Sequence, residues 1–258
     1  MTSREFSALC KRYGFSQQGK VYYRCFGEGI LQLITIGNRE YLDPLSPERT
    51  DKHRKSNRIS FYFWSMYENL PETFFFDTQY FTGIYPEQLF DRECQPAFMG
   101  LQSQYDLMDS YGFHYLDSIR TQKDLLCAII DYETIERHAP CYMNSYLVAP
   151  FLLCHESKEA LLRLACLHVQ NYSVFHENNR DLRETKMYDE YFEKLDMLQS
   201  RMAYRDCLIW DILLERWDSI KEKLHQNFLR NCEWANKYKF SFSDNFSPID
   251  LQNFSFTI

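Results

Sequence analysis

Histidine, cysteine and glutamate are the residues of this chain that could bind a catalytic metal, so their spacing decides whether such a site is predicted. A zinc protease places two histidines one helical turn apart with a glutamate between them. The segments HESKE (155–159) and HENNR (176–180) both lack the second histidine. A di-iron bundle needs two Glu-x-x-His pairs, whereas EKLH (222–225) is the one such pair in the sequence. The sequence therefore predicts no metal site and no cofactor.

Motifs for phosphate binding and for nucleophilic catalysis are also missing. GEG (27–29) lacks the third glycine of a dinucleotide-binding loop, because Gln32 stands in its place and a predicted strand follows. Neither a P-loop nor a Gly-x-Ser-x-Gly elbow occurs. The favoured interpretation is a protein that is not an enzyme. The alternative is an enzyme whose His/carboxylate or Cys/His site is assembled by the fold between sheet and helices, from residues such as His114, His155, His168 and His176.

Tyrosine, tryptophan and arginine residues in the predicted strands indicate a surface for binding another protein. These residue types dominate protein interfaces, because each buries a large rigid area and still offers polar groups. If the N-terminal helix covers the aliphatic side of the sheet, strand alternation leaves these side chains on one exposed face. Alternatively, the C-terminal helices cover that face and its arginine is hydrogen-bonded inside. The candidate binding residues are Tyr22, Arg24, Gln32, Arg58, Tyr62 and Trp64.

The elements that must position this surface begin with an N-terminal helix. Thr2 and Glu5 fit a capping box at the start of a helix over 2–12, and Gly14 fits its C-terminal cap. The segment FGEG (26–29) then predicts a hairpin turn. Strands are predicted over 20–26, 30–36 and 58–65, with further strands within 74–90.

Residues 37–58 are polar and are predicted to form a long exposed loop. The run KHRK (52–55) is the local cationic feature of this loop. It is interpreted either as a solvated segment or as a contact for a phosphate or an acidic partner.

From residue 101 onward the hydrophobic period changes to that of helices. The pattern predicts a helix interrupted by Gly112 and an apolar core stripe from Trp210 to Phe228. The tail alternates at KFSF (239–242) and NFSFTI (253–258), which predicts a short strand that returns to a sheet edge. Because strands precede helices, the predicted fold class is α+β: a small antiparallel sheet with an N-terminal helix, followed by a helical bundle-like half. The predicted domains are 1–100, an α+β sheet domain, and 101–258, a mainly helical region packed on it.

The hairpin region resembles a bacterial family catalogued as domain of unknown function 4304. The resemblance rests on the order of a helix, GF (14–15), a polar turn, YYR (22–24), a turn containing glycine, and LQLI (31–34), with FYFW (61–64) as the third strand. It covers the N-terminal α-β-hairpin region. The resemblance implies a small α+β domain with no assigned reaction, so it brings no catalytic residue to this chain.

The composition of the chain indicates in which compartment the protein lies and which classes of partner are disfavoured. The net charge of -7, from 29 Lys+Arg and 36 Asp+Glu, disfavours nucleic acid as a partner, because such binding rests on cations that neutralise phosphates. No signal peptide is expected, and no stretch approaches the roughly 18 apolar residues that cross a membrane. Nine cysteines without a CxxC motif are typical of reduced thiols. These observations predict a cytoplasmic protein that binds another protein without catalysis, in an inhibitor-like or immunity-like role.

Overall fold

A computed structural model of the chain describes residues 1–41, 54–70, 72–75, 101–128, 148–154, 158–159, 161–162, 165–166 and 207–256. The fold is α+β, as predicted, with a small antiparallel sheet, an N-terminal helix and a helical C-terminal portion. The described strands are β1 (Ser16–Gln18), β2 (Val21–Phe26), β3 (Ile30–Tyr41), β4 (Arg54–Ser65) and β5 (Ser241–Phe242). The helices named below are α1 (Ser3–Arg12), α2 (Leu101–Leu107), α3 (Phe113–Ser118), α4 (122–128), α5 (Val148–Leu153), α6 (207–213) and α7 (Trp217–Lys237).

The sheet is built on the predicted hairpin. Strands β1, β2, β3 and β4 lie in that order, each antiparallel to the next, and β5 pairs in parallel with β2. Gly27 and Gly29 form the β2–β3 turn with φ angles of 50° and 79°, a conformation in which glycine has no side chain to strain. The returning strand predicted from the tail is confirmed at KFSF by β5, which pairs in parallel with Arg24 and Cys25 of β2. The described part of NFSFTI, residues 253–256, forms no strand.

Strands β3 and β4 are longer than the sequence pattern predicts. Their ladder runs from the pair Ile30 and Ser65 to the pair Tyr41 and Arg54. The prediction of an exposed loop over 37–58 is therefore wrong at both of its ends, because backbone pairing does not require apolar side chains. The middle of that loop, with Lys52 and His53 of the KHRK run, lies outside the described residues. So does most of the segment 74–90, of which the described part belongs to a 3₁₀ turn at Glu72–Phe75.

Helix α1 begins at the capping box that the sequence predicts. The backbone N–H of Thr2 donates to Glu5 Oε2 at 2.6 Å, and the N–H of Glu5 donates to Thr2 Oγ1 at 3.3 Å. The helix ends before Gly14, whose φ of 79° turns the chain toward β1. The residues that α1 buries against the sheet are Phe6, Leu9 and Cys10.

Both faces of the sheet are covered by helices. On one face, α1 and the helices within 101–128 pack on β2, β3 and β4, with Phe6, Tyr105 and Phe113 in the contact. On the other face, α7 and the chain that follows it pack through Ala235 and Phe240. A third apolar cluster joins α5, α6 and α7 to the C-terminal residues Phe254 and Phe256. The sheet is therefore the middle layer of the described fold.

The predicted interruption at Gly112 takes the form of a π-helical segment, Met108–Gly112, between α2 and α3. The next helix, α4, begins at a pair of reciprocal hydrogen bonds between Thr121 and Asp124. The backbone N–H of Asp124 donates to Thr121 Oγ1 at 3.1 Å, and the N–H of Thr121 donates to Asp124 Oδ2 at 2.9 Å.

The predicted core stripe from Trp210 to Phe228 is broken between α6 and α7. Glu215 adopts a φ of 52° there, so the two helices do not share one axis. Trp210 is 58% exposed, and the prediction that it belongs to the core is wrong. The buried side chains of α6 are Leu208, Ile209, Asp211 and Ile212.

Candidate functional site

Arg24, one of the predicted binding residues, lies inside the protein and is held by several hydrogen bonds. Its guanidinium group donates to Gln32 Oε1 from Nε at 3.0 Å and from one terminal nitrogen at 2.8 Å. The same terminal nitrogen donates to Asp117 Oδ1 at 2.6 Å, and the other donates to the carbonyl of Tyr13 at 2.5 Å. The side chain is 2% exposed.

Two aromatic rings complete the environment of Arg24. The guanidinium carbon lies 4.3 Å from the ring centroid of Phe15 and 4.1 Å from that of Phe26. Burial lowers the pKa of Arg24, while the hydrogen bond and charge of Asp117 act in the opposite direction. Gln32 extends the network, because its amide donates to the carbonyl of Leu116 at 2.9 Å. These hydrogen bonds connect β2 and β3 to the helices that cover them. The role of Arg24 that they indicate is to stabilise the fold.

The strand register separates the predicted binding residues into two groups. Arg24 pairs with Gln32, and Gln32 with Phe63, so these side chains share one face of the sheet. Trp64 pairs with Leu31 and lies on the opposite face. The prediction that all six residues share a face is therefore wrong. It placed Tyr62 and Trp64 of β4 on the face of Arg24, whereas the register places Phe63 there, one residue away.

None of the predicted side chains that the structure describes forms an open sheet face. Tyr22 is buried under α1, which covers the sheet face that carries Arg24, Ile34 and Ile59. Trp64 is 7% exposed, and half-buried Tyr62 stacks on it with ring centroids 5.6 Å apart. Arg58 pairs with Gly37 through the backbone, and its side chain lies outside the description.

The histidines proposed for an assembled catalytic site are mostly beyond the described residues. His155, His168 and His176 lie there, and His114 is exposed on α3. Among the described residues, no three His, Cys, Asp or Glu side chains are grouped so that they could hold a metal ion.

A concavity of about 550 Å³ lies between α1 and the β1–β2 hairpin. We call it the α1 groove. Ser7 Oγ donates to Gln17 Oε1 at 2.6 Å, and the Gln17 amide donates to the carbonyl of Gly19 at 2.9 Å, so the groove has a fixed polar wall. Burial raises the pKa of Tyr22, and a hydrogen bond with Ser7 acts against that rise. The residues that line the α1 groove are Ser3, Arg4, Ser7, Ala8, Lys11, Gln17 and Tyr22.

The α1 groove is not among the predicted sites, although the residue spacing of α1 indicates it. Arg4 and Lys11 stand seven residues apart, which is close to two helical turns, so both lie on one side of the helix. The small residues Ser7 and Ala8 stand between them. The long side chains of Arg4 and Lys11 stand on either side of the short ones of Ser7 and Ala8. This spacing predicts a depression on the helix surface with a positive charge at each end.

Residues 1–20 carry a concentration of positive charge, and we call them the basic edge. They contain Arg4, Lys11, Arg12 and Lys20 against the single acid Glu5, a net charge of +3. Since the chain has a net charge of -7, the remaining residues carry -10. All four cations are exposed, and none forms an ion pair with a residue that the structure describes.

No protein-family model, curated protein or solved structure matches this chain. The resemblance of the hairpin region to a family of unknown function therefore stays a prediction. In the part of the chain that the structure describes, no helix has the length and apolar character needed to cross a membrane.

Proposed function

We propose that this protein is a non-catalytic protein-binding module, inhibitor-like or immunity-like, that contacts an acidic partner through its basic edge. The observation that supports this proposal is a set of four exposed cations on α1 and the β1–β2 turn of an otherwise acidic molecule, none of them in an ion pair with a described residue. Positive and negative regions on one molecule steer a charged partner into one orientation, which increases the association rate and selects against other partners.

The burial of the sheet residues favours the basic edge, and not a sheet face, as the contact surface. Arg24, Gln32 and Trp64 are buried and contribute to packing and internal hydrogen bonds. A partner that used them would have to displace α1 or α7. The exposed side chains of the basic edge need no such rearrangement.

The compartment and the family are part of the same proposal. The sequence has nine cysteines and no CxxC motif, which supports a reducing compartment such as the cytoplasm. The hairpin itself supports a relationship to the family of unknown function that the sequence resembles.

Charge reversal at the basic edge tests the proposal. The test variant is Arg12→Glu with Lys20→Glu, and the matched control is Lys123→Glu with Lys221→Glu, which changes the net charge equally on α4 and α7. A captured partner is identified with the unaltered protein, and its affinity for each variant is measured in nuclease-treated samples. We expect the test variant to bind more weakly by about tenfold or more and the control to bind normally. Equal loss in both variants, or retention only through nucleic acid, would contradict the proposal.

A further inference from the structure

We propose that the α1 groove is a binding site for an extended acidic peptide segment whose two carboxylates lie three residues apart. This inference rests on the proposed function and specifies which part of the partner occupies the basic edge. The observations that carry it are the spacing of Arg4 and Lys11, the neutral polar groups between them, and the burial of the aromatic ring in the groove.

The spacing of the two cations selects the spacing of two anionic groups. Lys11 follows Arg4 by seven positions in the helix, a rise of about 10 Å along the axis. A single phosphate needs donors that converge on one group, whereas Arg4 and Lys11 are attached to α1 about two helical turns apart. A polyproline-II segment repeats every three residues over about 9 Å, so carboxylates at positions i and i+3 share a side and match the two cations.

The groups between the cations suit a peptide backbone. Ser7 and Gln17 hold each other by a hydrogen bond of 2.6 Å. A hydroxyl oxygen retains an acceptor site and a side-chain amide has two N–H groups, so both residues keep capacity for a ligand. An extended peptide presents unpaired N–H and C=O groups along its length, and the fixed wall can pair with them without paying to order its own side chains.

The aromatic ring in the groove disfavours a single-stranded nucleic acid as occupant. Such ligands are held by bases that stack on exposed aromatic faces as well as by cations. Tyr22 is 2% exposed, so its ring is covered by α1 and offers no face for stacking. The net charge of -10 on the remaining residues also opposes a long polyanion, whereas a short segment with two carboxylates contacts the basic edge alone.

Fluorescence anisotropy with labelled synthetic peptides tests the inference on the full chain. One peptide carries two glutamates three positions apart in a proline-rich background, and an isomer of identical composition carries them side by side. Arg4→Glu and Lys11→Glu are the groove variants, and Lys123→Glu is the matched control on α4. Circular dichroism and thermal melting confirm that each variant is folded. A single-stranded oligonucleotide of equal charge and inorganic phosphate are the competing probes.

We expect the spaced peptide to bind the unaltered protein and Lys123→Glu equally, and each groove variant about tenfold more weakly. We also expect it to bind more tightly than its isomer. Equal binding of the two isomers, no binding of either, or displacement by phosphate alone would overturn the groove inference and leave the proposed function to its own charge-reversal test. Tighter binding of the oligonucleotide, lost in the groove variants, would overturn both proposals.

Discussion

Single buried amides connect the turns of the sheet to distant helices. The Gln122 amide donates to the carbonyl of Glu28 at 2.8 Å, and the Asn231 amide donates to the carbonyls of Met66 and Glu68, each at 2.8 Å. Gln122 and Asn231 are both completely buried. A buried carbonyl that loses its partner costs about 1–3 kcal/mol, so these side chains fix how the hairpin and the end of β4 meet the helices.

Gly27 is the residue at which backbone geometry is most demanding. Its φ is positive, and a Cβ atom there would overlap the carbonyl oxygen of Arg120. We expect Gly27→Ala to lower the free energy of unfolding by about 2 kcal/mol or more, because strain and a backbone clash combine. Gly19→Ala is the matched control, since Gly19 also has a positive φ but has nothing within 4 Å of the added atom. Urea denaturation of both variants measures the difference, and equal losses would show that the clash has no effect.

At the scale of elements, the sequence predicts best where local chemistry decides the structure. The capping box of α1 and the glycines of the β2–β3 turn act within a few residues, so their patterns predict the helix and the hairpin correctly. The face on which each β4 side chain lies depends on pairing with a distant strand. Aromatic and polar residues occur on both covered faces. The sequence of β4 therefore does not indicate which of its side chains lie on which face.

The break between α6 and α7 shows the same limit. Leu214, Glu215 and Arg216 contain no glycine or proline, and the sequence reads as one helix. Contacts from α7 stabilise the break, because Lys223 Nζ lies 2.5 Å from Asp211 Oδ2 and Ser219 donates to the same oxygen at 2.9 Å. Tertiary contacts of this kind override local helix propensity and are invisible in sequence spacing.

The contact between the 3₁₀ turn and the end of α7 predicts a pH dependence. Lys237 Nζ lies 2.6 Å from Glu72 Oε1, and the Tyr238 hydroxyl donates to the same oxygen at 2.9 Å. These hydrogen bonds, that from Lys237 first, hold the pKa of Glu72 below its ordinary value. A lowered carboxyl pKa contributes stability at neutral pH that is lost as the pH falls through the folded pKa, below the ordinary value of 4.5.

We therefore expect Glu72→Gln to make the free energy of unfolding less dependent on pH between about pH 5 and pH 3. Chemical denaturation across that range is the measurement. Glu233→Gln removes an exposed carboxyl elsewhere on α7 and serves as the control. If Glu72→Gln and the unaltered protein give parallel curves, the contact does not contribute to stability in solution.

At the scale of the whole molecule, charge and aromatic residues are divided between interior and surface. Four of the sheet residues that resemble an interface in sequence are buried under α1 and α7: Tyr22, Arg24, Gln32 and Trp64. The cations of the basic edge, which a net charge of -7 conceals, are exposed and unpaired with any described residue. Composition gives the sum of charges, and only the folded chain shows which arginine lies inside and which outside.

The free energy of unfolding of Arg24→Ala, measured by urea denaturation beside Arg12→Ala, tests this division most directly. We expect Arg24→Ala to lose at least about 3 kcal/mol, because Gln32 and Asp117 lose a buried cationic partner. We expect Arg12→Ala, an exposed change in the last turn of α1, to lose less than about 1 kcal/mol. An Arg24→Ala variant that keeps full stability and fails to bind a partner would contradict the account, since Arg24 would then belong to the binding surface.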